Sequence, residues 1–328
     1  TNRVLLISIV PILVIGSIAW LSLNQLTSGV SGKLQGAQTE LLDRVVGTNL
    51  ISVSEQLANQ LDTFMLERIS DAVTWASAPI IVEAAKAGAD LHAKVGLINL
   101  NINEIEAKFK DRKSLEVSPQ ASNYLTAQIE RSEHFGEAFF TDKNGFNVAL
   151  TNPTSDFVQR DENWWKTAWE NGVSVGEVEF DDSAGIWSVD ISVRIDDANS
   201  GRSLGVLKAV LGVSLIQQVA DAGIKGIEGG SVTVINGDGL LLAETNSRHA
   251  RNRIMNKEVN FRKSGNNDVQ SAFGIQRNGY IIGSEQVLGF AHSAGSDLYK
   301  SVVSRFRGFD WTVLVQQPTE TALAPIQG

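Results

Sequence analysis

The sequence predicts an α+β chain: a membrane-spanning helix running into a long stalk helix, followed by two antiparallel-sheet modules in tandem. Three observations predict it. The run from Val4 to Leu23 carries no charged side chain, apolar residues then recur at threes, fours and sevens from Leu26 to about Ala85, and a hairpin-led unit occurs twice, 94 residues apart.

The first run, VLLISIVPILVIGSIAWLSL, lies between Arg3 and the polar pair Asn24-Gln25. About 20 apolar residues, each rising about 1.5 Å, suffice to cross a hydrocarbon core of about 30 Å. Pro11 is compatible with a membrane helix, because neighbouring groups can satisfy the freed backbone. A secretory signal has a shorter apolar core of about 7–15 residues and a small-residue cleavage site. Ser17-Ile18-Ala19 matches such a site poorly, so a retained span over residues 1–23 is expected, with Arg3 favouring a cytoplasmic start.

The second element is a stalk helix over 24–85. Leu26, Val30, Leu34, Leu41, Val45, Leu57, Leu61, Phe64, Ile69 and Val73 carry its stripe, with a slip near Ile51 and no proline before Pro79. A rod of this length normally packs against a partner helix or along several modules, which predicts a parallel homodimer. Further helices are expected from about Ala89 to Lys113 and near Gln120–Arg131.

The pattern then turns to sheet. Phe135 to Asp142, Lys143-Asn144-Gly145 and Phe146 to Asn152 read as strand, turn, strand, since Asn-Gly tolerates the positive φ of a hairpin turn. Ser231 to Asn236, Gly237-Asp238-Gly239 and Leu240 to Asn246 repeat the design, ending in the same Thr-Asn pair. Each copy is followed by longer strands: Gly185–Ile195 and Ser203–Val213 in the first, Gly279–Gly283, Gln286–Ala291 and Phe309–Val315 in the second. The predicted modules are therefore 86–222 and 223–317, with residues 318–328 opening an exit helix toward a second span.

Composition narrows the function. A net charge of −9, and the absence of any compact basic run, argue against nucleic acid as a partner. Without cysteine, disulfides, thiolate catalysis and Cys-based zinc sites are all excluded. His92, His134, His249 and His292 are scattered with no His-x-x-x-His pair, no G-x-S-x-G elbow occurs, and Gly223–Gly230 lacks the end of a phosphate loop. No catalytic activity and no cofactor are expected.

In this order the elements resemble the double Cache sensor domains of bacterial chemoreceptors, sensor kinases and related transducers. The likeness covers residues 24–328, and its carriers are Arg160-Asp-Glu-Asn-Trp-Trp-Lys-Thr-Ala168, Phe180-Asp-Asp-Ser-Ala-Gly185, Gly205-Val-Leu-Lys208 and Trp311-Thr-Val-Leu-Val-Gln-Gln-Pro318. The resemblance implies PAS-like sheets, a periplasmic small solute bound in the membrane-distal module, and a signal carried by the long helix to a cytoplasmic output. A chemoreceptor is the leading output, with a histidine kinase or diguanylate cyclase as alternatives. A membrane-anchored scaffold or adhesion protein is the rival, and it predicts a distal core with no pocket.

Asp161 as N-cap and Gly172 as C′ bound a short helix over Glu162–Asn171. Its first turn presents Trp164 and Trp165 as an aromatic wall, with Trp169 beside them. Asp181 and Asp182 open the loop ending at Gly185, and Asp190 sits mid-strand between Ser188 and Ser192. Phe139 and Phe140 point to opposite sheet faces, so at most one of them, taken here as Phe139, lines the site. The expected ligand contacts are Phe139, Asp161, Trp164, Trp165, Asp181, Asp182 and Asp190; a divalent cation at Asp181 and Asp182 is a lesser alternative. Part of the family holds amino acids with an Arg two residues before the first aromatic and an Asp on the later strand. Glu162 and Val210 stand in those places, which turns the expectation toward a cationic, neutral or aromatic solute, Trp faces attracting quaternary ammonium groups.

Overall fold

The computed structural model describes residues 40–41, 44–245, 253–263, 267–274, 277–293, 299–300, 302, 306 and 308–324. The expected span at 1–23 and the first part of the stalk lie outside the described residues. Among the described residues, no helix is long and apolar enough to cross a membrane.

Helix α1, residues 44–76, buries Leu50, Leu57, Leu61, Met65, Ile69, Ala72 and Ala76, one face at helical spacing. The stripe does not continue to Ala85 in one helix. Pro79 disfavours helical geometry in the residue before it, Ala78 is extended (φ −64°, ψ 134°), and a second helix, α2 (Pro79–Lys94), starts on the proline. The helix expected from Ala89 to Lys113 is likewise interrupted. Gly96 takes φ +76°, a 3₁₀ turn covers Leu97–Asn99, and Asn101 with Glu104 forms a capping box that starts α3 (Ile102–Lys108). Helix α4 (Pro119–Ser132) is capped by the Ser118 hydroxyl.

Two five-stranded antiparallel sheets follow. The first contains β1 (Phe135–Thr141), β2 (Asn147–Leu150), β3 (Val173–Asp181), β4 (Ile186–Asp196) and β5 (Ser203–Gly212), in the order β2-β1-β5-β4-β3. The second contains β6 (Ser231–Ile235), β7 (Leu241–Glu244), β8 (Asn278–Ile282), β9 (Gln286–His292) and β10 (Thr312–Pro318), in the matching order β7-β6-β10-β9-β8. Helix α5 (Asn163–Asn171) lies on the first sheet, and α6 (Ser214–Gly223) leads from it to the second. A short helix, Thr319–Leu323, follows β10.

The repeat extends to single hydrogen bonds. In the first hairpin Asp142 Oδ1 accepts from the backbone N–H groups of Asn144 and Phe146; 94 residues on, Asn236 Oδ1 accepts from those of Asp238 and Leu240. Gly145 and Gly239 supply the positive φ (+76° and +81°) that both turns require. The Thr151 and Thr245 hydroxyls accept from the N–H groups of Ala138 and Val232, again 94 apart.

One core serves both sheets. The α1 stripe packs in a single cluster with Ala138, Phe140, Leu207 and Leu211 of the first sheet and Val232, Val234, Val313 and Val315 of the second. Contact with the second sheet is close: a Cβ on Gly289 of β9 would stand 2.5 Å from the Leu50 carbonyl carbon. A buried hydrogen bond from the Tyr299 hydroxyl to Asp62 Oδ1, 2.9 Å, adds a polar tie.

Candidate ligand-binding site

Because side chains alternate across a strand, the first sheet has a second face turned away from α1. Phe140 goes into the main core, while Glu137 and Phe139 of β1, Ser188 and Asp190 of β4 and Lys208 of β5 border a cavity of about 290 Å³ on the other side. Trp164 and Glu162 close it from the start of α5, and Glu179 to Ser183 from the end of β3. Thr154, Ser155, Asp156 and Gln159 form the remaining wall. That loop is fixed from behind: Asn147 Nδ2 donates to the Asp156 carbonyl and to the Thr154 hydroxyl, and the Glu106 carboxylate accepts from the N–H groups of Phe157 and Val158. The volume lies at the small end of ligand sites, which run from roughly 300 to 1,000 Å³.

The lining is strongly acidic. Glu137, Asp156, Glu162, Glu179, Asp181, Asp182 and Asp190 face one cation, Lys208. Lys208 Nζ lies 2.7 Å from Asp190 Oδ2, 3.9 Å from Asp181 Oδ2, and 5.2 Å from the Trp164 ring centroid. Phe139 meets the Trp164 ring edge-to-face at 5.8 Å. Glu137, 1% exposed, accepts from the Ser183 hydroxyl at Oε1, whereas its Oε2 is buried without a hydrogen bond. Burial pushes the Glu137 carboxyl above its ordinary range; Ser183 offsets this, the Asp181 charge adds to it, and Lys208 and Asn152 offset it further. Burial also raises Asp190, against the pull of Lys208. Asp181 runs the other way: burial would raise it, but hydrogen bonds from Ser183 and Ala184 and the Lys208 charge bring it below its usual value.

Of the residues expected from the sequence, Phe139, Trp164, Asp181, Asp182 and Asp190 border this cavity. Trp165 does not. It is 6% exposed, donates its indole N–H to the Thr141 hydroxyl at 2.8 Å, and stacks on Trp169 at 5.0 Å. Being adjacent on a helix, the two indoles point about 100° apart, so Trp164 turns to the cavity and Trp165 to Ala168 and Val206. Asp161 is exposed and outside the lining. Nor is it the cap: Glu162 holds the N-cap position without a side-chain hydrogen bond, and the Asp161 carbonyl accepts from Lys166 Nζ.

Glu137 and Lys208 were not among the expected contacts, though each carries a signal. Glu137 is two residues before Phe139 on one strand and so shares its face. Lys208 is a lone charge inside an apolar strand. Val210 lies cross-strand between Glu137 and Asp190, so the two carboxylates stand on the strands flanking it.

The duplicated sheet acts as an internal control. Phe139 pairs with Lys208 and Ser192 with Lys208; 94 residues after Phe139, Thr233 pairs with Leu314, which pairs with Phe290. Lys208, Ser192 and Asp190 thus correspond to Leu314, Phe290 and Leu288, which pack with Ile235, Leu241, Val269 and Ala272. At these three positions the face is polar in one copy and apolar in the other, whereas Glu137, Phe139 and Val210 correspond to Ser231, Thr233 and Gln316.

A second hollow, about 680 Å³, lies between the modules. Glu177, Glu179, Phe180 and Trp187 line it from the first, Asp238, Leu240, Met255, Lys257 and Asp310 from the second. Among the described residues no group of three or more His, Asp or Glu is placed to hold a metal ion. His92 is buried with Nδ1 3.0 Å from Asp142 Oδ2, behind the first hairpin; His249 lies outside the described residues.

The Cache domain family model, dCache_1, matches residues 31–326. No curated protein matches the chain in sequence. Among solved structures, it is similar to the ligand-binding domain of the Pseudomonas fluorescens chemoreceptor CtaA in complex with L-leucine: 16% identity, TM-score 0.52, covering 88% of this chain and 99% of that one. The ligand-binding domain of the Pseudomonas aeruginosa amino acid chemoreceptor PctB with L-Arg has 14% identity and TM-score 0.51, over 85% and 97%. That of the Campylobacter jejuni chemoreceptor Tlp3 with 4-methylisoleucine has 12% identity and TM-score 0.53, over 87% and 95%. At these identities the structural likeness concerns the fold alone.

Proposed function

We infer that this chain, which belongs to the Cache domain family, is the extracytoplasmic sensor region of a bacterial transmembrane signal transducer and takes a small cationic solute in the cavity of its first module. The observation that carries this reading is the contrast between two copies of one sheet face. Charged and hydroxyl side chains in a hollow are costly to fold around unless a ligand or water satisfies them, and at the places of Asp190, Ser192 and Lys208 the second copy carries the packed apolar groups Leu288, Phe290 and Leu314. A scaffold with no small ligand has no use for that difference.

The ligand class follows from charge. Among the described residues, seven carboxyl groups with one already ion-paired ammonium leave no free cation in the lining to receive a ligand carboxylate, and an aromatic face with acidic neighbours favours an amine or quaternary ammonium. Amino acids, named with the three chemoreceptors above, fit this lining less well than a di-amine. A ligand that prefers one of two arrangements by about 1–3 kcal/mol suffices to signal. Helix α1 is the natural carrier, since its apolar stripe is core to both sheets.

In the whole protein, residues 1–23 are the membrane anchor, the first module is the membrane-distal one, and the stalk helices of two copies pair in parallel. The exposed Leu41 and Val45, 61% and 62% accessible, belong to that contact. A chemoreceptor is the favoured output. Isothermal titration calorimetry of the chain against di-amines, quaternary amines, purines and L-amino acids tests the ligand class. Saturable binding confined to cations supports it; tight binding of an α-amino acid, with cations inert, overturns it.

A further inference from the structure

The cation in the cavity belongs to the chain itself. Lys208 Nζ is held between Asp190 Oδ2, 2.7 Å away, and the face of Trp164, 5.2 Å away, the pair of partners that an ammonium-binding site supplies. A second carboxylate, Asp181, waits 3.9 Å off. Glu137 lines the same hollow, 99% buried, with an oxygen that has no hydrogen bond. Three carboxylates thus line the hollow around a single ammonium.

We propose that Lys208 is a tethered stand-in for the ammonium group of the solute, and so a specificity-determining residue. It rests on the cationic reading above. An arriving cation takes the place between Asp190 and Trp164, and Lys208 is handed on to Asp181. No bond is made or broken; one ion pair replaces another. Two consequences follow. Lys208 weakens binding of every cation, because the ligand must displace a like charge. It also changes the load on Asp181, the last residue of β3, whose Oδ1 holds Ser183 and Ala184 while Ser183 reaches Glu137.

The sign of one substitution separates this role from the other one open to a lysine in a pocket, that of receiving a ligand carboxylate. Calorimetry on wild type, Lys208→Gln and Lys208→Met, with putrescine and tetramethylammonium as probes and L-alanine as control, gives the answer. A stand-in predicts at least about tenfold tighter binding of both cations in the variants and no gain for alanine. Unchanged or weaker cation binding in the variants, with wild type binding normally, overturns the stand-in while leaving the cationic reading intact. If no cation binds wild type or variant, both fall. Acetylation of the wild type, read at Lys208 by mass spectrometry, needs no variant to fold. Saturating tetramethylammonium is expected to speed modification severalfold, whereas protection of Lys208 overturns the proposal.

Discussion

Trp164 and Trp165 are neighbours in sequence with opposite surroundings, and paired substitutions separate ligand contact from packing. In Trp165→Ala an indole that is 6% exposed is lost, with its stacking on Trp169 and its hydrogen bond to Thr141. Burying a void of that size costs about 3–5 kcal/mol. At roughly 2–4 °C of melting temperature per kcal/mol for a large domain, a drop of at least about 6 °C is expected. Trp164→Ala removes a half-buried ring that meets Phe139 and the Lys208 ammonium and packs only on the margin of the Trp165 cluster, so its stability cost stays below that of Trp165→Ala. Its effect falls on the ligand: a cation–π contact worth about 0.5–2 kcal/mol corresponds to a roughly 2- to 30-fold weaker Kd. Thermal and urea melts together with calorimetry of putrescine read both quantities. Equal melting losses in the two variants, or a loss of binding in Trp165→Ala with stability unchanged, would refute the assignment of the two rings.

Three further outcomes are expected. Glu137 and Asp190 are held above the ordinary carboxyl range, so the folded protein binds more protons than the unfolded one there: their contribution to stability declines as pH rises from about 4 through their raised values. A cation favours their ionised forms, so its affinity rises across the same window with proton release, seen as a buffer-dependent binding enthalpy; an enthalpy independent of buffer contradicts this. Gly145→Ala and Gly239→Ala each force a Cβ onto a positive-φ residue against Arg160 or Arg262, costing about 1–2 kcal/mol from backbone alone, measured by urea denaturation. Tyr299→Phe leaves buried Asp62 without that donor and is expected to cost about 1–3 kcal/mol while leaving cation affinity unchanged, because the contact is remote from the cavity.

The duplicated hairpins could be read from sequence because turn chemistry is local: Asn-Gly and Asp-Gly declare the turn wherever the chain goes. Strand alternation likewise set Asp190 on one face with Ser188 and Ser192 and parted Phe139 from Phe140, without telling which of those two borders the cavity; the same rule ties Glu137 to Phe139. The break at Ala78 was signalled by Pro79, but a continuous apolar stripe concealed it, since α2 adds Ile81, Ala84 and Ala85 to the core that α1 serves. Trp164 and Trp165 could not be separated by pattern, because an angle of about 100° between neighbours acquires meaning only once the sheet beneath them is placed. The wall from Thr154 to Gln159 is a loop held by Asn147 and Glu106, partners 7 and 51 residues away, and no periodicity announces it.

Strand β3 is the outermost ribbon of its sheet, joined to β4 alone and kinked by a register shift between Val175 and Val178. Glu179 and Phe180 on it are bricks in two rooms at once, the acidic chamber and the larger space between the modules. Any slide of this one ribbon must therefore resize both rooms together. News of an occupant can pass next door through a shared partition, and Val178 on the same ribbon carries any slide into the interior that α1 serves as well.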